Sequence, residues 1–372
     1  MPKPANHKAM RSKYVVALLL LLAVSSGRAQ NKFAKIEAWL ADNTVKMGGR
    51  SILVIYKNDH IVYNGSKNEM TGMQRMFAQM IAKRTGKPLN IENYTISTKQ
   101  PIASCSKWLS AALVMTFVEE GKLKLDDTVG KYLPALTKSG KGSITIEQCL
   151  SHRTAIKSPS LKDDLAEMRA EQNMDDAIKD IAAMPMEGKP GTVFRYSNVG
   201  LQIAGAIIEK IGGANFEDLF EQRIAKPLNM KNTDYGHAKV ALPAGGGNST
   251  PEDYINFLTM ILNKGVFNGK RILTERSISL MQIDRIAANN TTVAYSPAEA
   301  GDVGYGFGEW VNKGASLQNP AVVVTSPGLF GSYPLVDNKR RYAAFLMTFY
   351  LKSDGKQKRY QELKQLIDEA IE

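Results

Sequence analysis

Ser104-Cys105-Ser106-Lys107 opens an apolar run, residues 108–118, that reads as a buried helix. A serine and a lysine three residues apart on a helix share one face. A lysine inside an apolar helix is costly unless it has a partner or has shed its proton. An amine beside a serine hydroxyl is a base beside a nucleophile, which is the chemistry of acyl transfer. The same spacing recurs in Ser353-Asp354-Gly355-Lys356, but in a polar stretch with no apolar run behind it, and reads as a solvated turn. Tyr-x-Asn occurs three times, at Tyr56, Tyr196 and Tyr254. Tyr56 falls in a strand pattern and Tyr254 inside a helical one, so both read as chance. Tyr196-Ser197-Asn198 follows a Pro-Gly turn and precedes a helix, where rigid elements would hold a catalytic loop.

The flanking segments must position these groups. Residues 51–57 and 60–64 alternate apolar and polar around Asn58-Asp59, which predicts a β-hairpin. Met70, Met73, Met76, Phe77 and Met80 then fall on one helical stripe. That stripe predicts a helix packed on the sheet, with an adaptable substrate lid as the alternative. From Leu123 to about Tyr235 the chain reads as mostly helical, and helices are expected over residues 251–262 and 275–281. Strand patterns return at 306–311, 321–325, 331–336 and 342–349, before an amphipathic helix over 357–371. The expectation is an α+β fold: an antiparallel sheet built from both termini, flanked by helices, with an all-helical subdomain at about 105–245.

The chain has 372 residues, 44% hydrophobic, enough for one large domain or two intimately packed subdomains. Lys3, Lys8, Arg11 and Lys13 precede an apolar core at residues 15–24 and small residues up to Ala29. That pattern predicts a signal peptide over residues 1–29, too short in its core to span a bilayer, and a mature domain over 30–372. An uncleaved anchor is the alternative. The expected location is the periplasm or outside the cell, with no stable membrane span after cleavage. Five basic residues lie in the signal, so the net charge of +12 falls to +7 in the mature chain. The remaining charges are interspersed, which argues against nucleic-acid binding and allows weak attraction to an anionic wall or membrane surface. Cys105 and Cys149 could pair after export or remain buried thiols.

In order and context, Ser104-Cys105-Ser106-Lys107 and Tyr196-Ser197-Asn198 resemble the class C β-lactamase-related serine hydrolases of the penicillin-binding-protein superfamily. Residues 120–127, 144–154, 227–233 and 304–308 are similar to further segments of that family, so the resemblance spans roughly residues 35–370. It implies a β-lactamase/transpeptidase-like fold in which Ser104 is acylated and Lys107 and Tyr196 share the proton transfers. Asn198 would hydrogen-bond Lys107 and the substrate. The N–H groups of Ser104 and Leu329 would form the oxyanion hole, and no metal or cofactor is required. The family's third motif, Lys-Thr-Gly or His-x-Gly, is here Ser326-Pro327-Gly328. Gly328 still permits close approach to a substrate, and Ser326 would stand beside it. Ser326 cannot supply the positive charge that helps bind a substrate carboxylate. Lys339, Arg340 and Arg341 are nearby in sequence but read as exposed turn residues. His152 reads as structural, since no second ligand stands at metal spacing.

The leading expectation is an exported serine hydrolase of esters or small peptides and amides. A β-lactamase or D-amino-acid-specific peptidase of cell-wall peptides is the alternative within enzymes. A non-catalytic binder of wall fragments is the alternative outside them. The implied partner is a small-molecule ester, peptide or lactam. No Gly-x-Ser-x-Gly elbow occurs, and the glycines at 304, 306 and 308 lie in an aromatic strand, not in a dinucleotide-binding turn.

Overall fold

The computed structural model describes residues 32–86, 88–159, 171–287, 291–352 and 354–372. The expected signal, residues 1–29, lies outside them. A seven-stranded antiparallel sheet is the frame. Its strands are β1 (Arg50–Lys57), β2 (His60–Asn68), β3 (Gly304–Tyr305), β4 (Trp310–Val311), β5 (Val323–Thr325), β6 (Tyr333–Asp337) and β7 (Tyr342–Thr348). Their spatial order is β2-β1-β7-β6-β5-β4-β3, so the two ends of the chain meet at β1 and β7. The hairpin turn works because Asn58 and Asp59 both adopt positive φ, 52° and 64°, as a two-residue turn matched to strand twist requires.

Alternation along β1 and β7 divides the core into two layers. Ile52, Val54, Ala343, Phe345 and Met347 face one layer. Leu53, Ile55, Tyr342, Ala344 and Leu346 face the other. That second layer is closed by α1 (Ala34–Thr44) and the C-terminal helix, Lys356–Ile371, through Ile36, Leu40, Leu363 and Ile367. The first layer receives the helical part of the chain. It includes α2 (Ser106–Glu119), α3 (Val199–Gly212) and α4 (Pro251–Leu262). Every residue of α2 from Ser106 to Phe117 is buried, because the helix is apolar around its circumference and neighbours cover it on all sides. Trp108 meets Phe257 edge-on at 5.6 Å, and Tyr254 stacks on Phe345 at 4.7 Å.

Two expectations change. The methionine stripe lies on the helix Gly72–Thr85, but it neither packs on the sheet nor lines the cleft. Met73, Met76, Phe77 and Met80 are exposed. The helical middle is interrupted by a short strand, Val193–Arg195, which pairs in parallel with Thr292–Tyr295. Cys105 and Cys149 are both buried free thiols, each with its pKa pushed up by burial. Among the described residues, no helix is long and apolar enough to cross a membrane.

Candidate active site

Ser104 sits in the 3-10 turn Ala103–Cys105 that leads into α2. Ala103 adopts φ 47°, a left-handed conformation that a residue with a β-carbon holds only when its surroundings enforce it. Four bonds do so. Ser106 Oγ donates to the Ala103 carbonyl at 2.6 Å and accepts from the Gly247 N–H at 2.9 Å. The Ile102 N–H donates to the Gly247 carbonyl, and Tyr254 Oη donates to the Cys105 carbonyl at 2.8 Å. Tyr254, set aside in the sequence as a chance match, thus braces the turn that carries Ser104.

Lys107 lies one turn on, 1% exposed. Its Nζ donates to Ser104 Oγ at 3.2 Å, to Asn198 Oδ1 at 3.2 Å and to the Ala244 carbonyl at 2.8 Å. The burial cost of the amine is therefore offset by three acceptors. Asn198 is buried at the N-cap of α3, which fixes it opposite α2. The Tyr196 phenol neighbours Ser104, and its ring lies 4.8 Å beneath Lys107 Nζ. Burial pushes the Tyr196 phenol well above its ordinary pKa, partly opposed by the neighbouring Ser104 hydroxyl. Its ring stacks on Trp310 at 5.3 Å and leans on His152 at 4.7 Å. His152 Nε2 meets Tyr305 Oη at 3.0 Å. Burial and the nearby Lys107 hold the imidazole well below its ordinary pKa, so it stays neutral behind the tyrosine. The four residues singled out by spacing, Ser104, Lys107, Tyr196 and Asn198, are therefore brought together.

Gly328 packs against the turn that carries Ser104 so closely that a β-carbon there would stand 2.3 Å from the Ile102 carbonyl oxygen. Gly308, at φ 74°, would place one 2.3 Å from the Lys107 carbonyl oxygen. Among the described residues, no backbone carbonyl takes up the N–H of Ser104 or of Leu329. Both residues line the cleft, as two donors for an oxyanion should. Ser326 departs from its expected place beside the substrate. It is 2% exposed, and its Oγ donates inward to the Gly308 carbonyl at 2.8 Å and the Ser104 carbonyl at 3.3 Å. Short and flanked by two carbonyls, it braces the Ser104 turn instead of reaching into the cleft.

Lys339, Arg340 and Arg341 bring no charge to the cleft. Arg340 pairs with Asp337 and Asp368, and Arg341 is tied to the Leu262 carbonyl and to Asn263. Lys356, dismissed as part of a solvated turn, is 1% exposed and lines the cleft. Its Nζ donates to the Leu329 carbonyl at 2.6 Å, and burial lowers its pKa. Ser353 lies outside the described residues. The local signal for Lys356 was the strong amphipathic helix that begins there, whose apolar face had to dock on the sheet.

Two arms of about 610 Å³ each meet at Ser104. One is walled by Tyr196, Tyr295, Trp310, Glu299 and Lys356. The other is walled by Val240, Ala241, Leu242 and Phe330 beside Gln202 and Glu171. Two parts of one bound molecule can thus lie on opposite sides of Ser104. Among the described residues, no cluster of His, Cys, Asp or Glu could hold a metal ion.

The β-lactamase family profile matches residues 40–367. The chain belongs to the β-lactamase family. It is a serine hydrolase of the acyl-enzyme type, and its fold is the β-lactamase/transpeptidase fold. A β-lactamase-like protein from Bacteroides dorei superposes with a TM-score of 0.74 at 26% identity, covering 91% of this chain and 98% of that one. EstCE1, a hydrolase with promiscuous acyltransferase activity, shares the fold with a TM-score of 0.68 at 17% identity, covering 92% of this chain and 100% of its own. An uncharacterized protein of Mycobacterium tuberculosis is 26% identical over 286 residues, 62% of this chain and 68% of the relative.

Proposed function

We propose that this β-lactamase-family protein is an exported hydrolase that cleaves esters and small amides or peptides through an acyl-enzyme on Ser104. The observation that supports it is the position of Lys107 Nζ, 3.2 Å from both Ser104 Oγ and Asn198 Oδ1, where the two arms of the cleft meet. Ser104 Oγ attacks the substrate carbonyl. Its proton passes to the Tyr196–Lys107 pair, and the oxygen charge that develops is held by the N–H groups of Ser104 and Leu329. Collapse of the adduct breaks the bond to the leaving group, which takes up that proton. Water then adds to the acyl-enzyme by the same route in reverse, freeing the acid and restoring Ser104. Asn198 holds Lys107 toward the serine and offers its remaining polar edge to the substrate.

Esters and neutral amides are favoured over β-lactams because Ser326 is turned inward and offers no cation to a carboxylate. Export rests on the basic and apolar pattern of residues 1–29. Steady-state hydrolysis of p-nitrophenyl esters and of a chromogenic cephalosporin, by wild type and Ser104→Ala, tests the reading. It predicts ester turnover that vanishes in the variant, with cephalosporin kcat/KM lower by about 10² or more. Cephalosporin turnover exceeding ester turnover would overturn the preference.

A further inference from the structure

The helix Gly72–Thr85 is stable in itself yet turns its apolar side outward. A capping box closes its start: Thr71 accepts from the Gln74 N–H, and the Gln74 side chain returns to Thr71 N. Gly86, in the left-handed conformation, closes its end. Met73, Met76, Phe77, Met80 and Ile81 fall on one stripe and are 76%, 64%, 57%, 55% and 44% exposed. Val45, whose carbonyl accepts from Gln74 Nε2, adds another exposed apolar side chain at the helix edge. Single exposed apolar residues need no explanation, but five on one helical face do.

The charges around the stripe select the partner. The helix carries Arg75, Lys83 and Arg84 and no acid; Lys46 is exposed next to Val45, and Glu69 precedes the helix. A cationic amphipathic helix with methionine, phenylalanine and isoleucine outward suits the interface of an anionic bilayer. A second copy of this face would meet it with the same positive sign, which opposes self-association. We infer that the helix Gly72–Thr85 seats the protein on an anionic lipid surface, with its apolar stripe in the headgroup region and Lys83 and Arg84 among the phosphates. The cleft would then open close to that surface. Gly49 packs on Met70 and Gln74, Gly48 packs on Phe349, and Phe349 stacks at 4.9 Å on Phe330, a wall of the cleft.

The buried state of both native thiols allows a local test. Met76→Cys in the full chain, as processed by an exporting cell, takes an environment-sensitive dye at that site alone. Titration with vesicles of phosphatidylglycerol and phosphatidylcholine should raise the emission about threefold or more, and pure phosphatidylcholine should do far less. Adding Lys83→Glu and Arg84→Glu should abolish the rise, and 0.5 M salt should weaken it, about what screening allows. Soluble-ester hydrolysis should be unchanged in all these proteins, which shows them folded. Emission that stays flat with anionic vesicles, or that survives the charge reversal, overturns the inference. So does emission that rises with protein concentration in the absence of vesicles, since a second copy would then be the partner.

Discussion

Tyr196 sets the pH behaviour expected of the site. Its phenol is raised above the ordinary value near 10, so at pH 7 fewer than about one site in a thousand carries the phenolate. The base form then fills about tenfold per pH unit. If Tyr196 takes the serine proton, kcat/KM should climb with a slope near +1 from about pH 6 to pH 9. His152, held neutral by burial and by Lys107, should leave no inflection near pH 6.5. Tyr196→Phe should lower kcat/KM by about 10² or more and flatten the climb. A bell centred near pH 6.5, or a slope unchanged in the variant, would remove Tyr196 from the proton path. The pairing of Tyr196 with Ser104 was readable from Tyr-x-Asn placed before a helix. The inward turn of Ser326 was not, because it depends on the Gly308 and Ser104 carbonyls brought in from other strands and turns.

Helix ends do much of the positioning. Asn198 stands at the start of α3, Ser104 just ahead of α2, and Lys356 at the first residue of the C-terminal helix. Lys356 ties that helix to the Leu329 carbonyl and so fixes the segment whose Leu329 N–H is proposed to meet the substrate oxygen. Lys356→Met should leave KM for a neutral ester nearly unchanged while kcat falls about tenfold or more, and Lys356→Arg should recover part of it. An equal fall in stability and activity, with no rescue by arginine, would make the lysine merely structural. Periodicity located α4 and the C-terminal helix to within a residue, and the hairpin too, though its second strand runs four residues beyond the expected end. It located the methionine helix as well, but a stripe says which face is apolar and not what covers it. The same limit hid Lys356: its surroundings in sequence are polar, and its burial comes from packing between elements far apart in the chain.

At the scale of the molecule, the sheet joins both termini, and the site lies where the helical part of the chain meets the β5–β6 side of that sheet. Strand patterns at the two ends with helices between them were enough to expect this layout, since β1 and β7 can bury both faces only beneath two layers of helices. The order of short strands β3, β4 and β5 was less legible, because two or three residues carry little periodicity. All of this frame serves one claim, that Ser104 is the acylated nucleophile. The most direct measurement is mass spectrometry of the intact protein, and of its peptides, after exposure to a fluorophosphonate probe, with Ser104→Ala as control. One adduct per chain is expected, mapped to Ser104, and none in the variant, whose melting temperature should match the wild type. An adduct on another residue, or equal labelling of the variant, would contradict it.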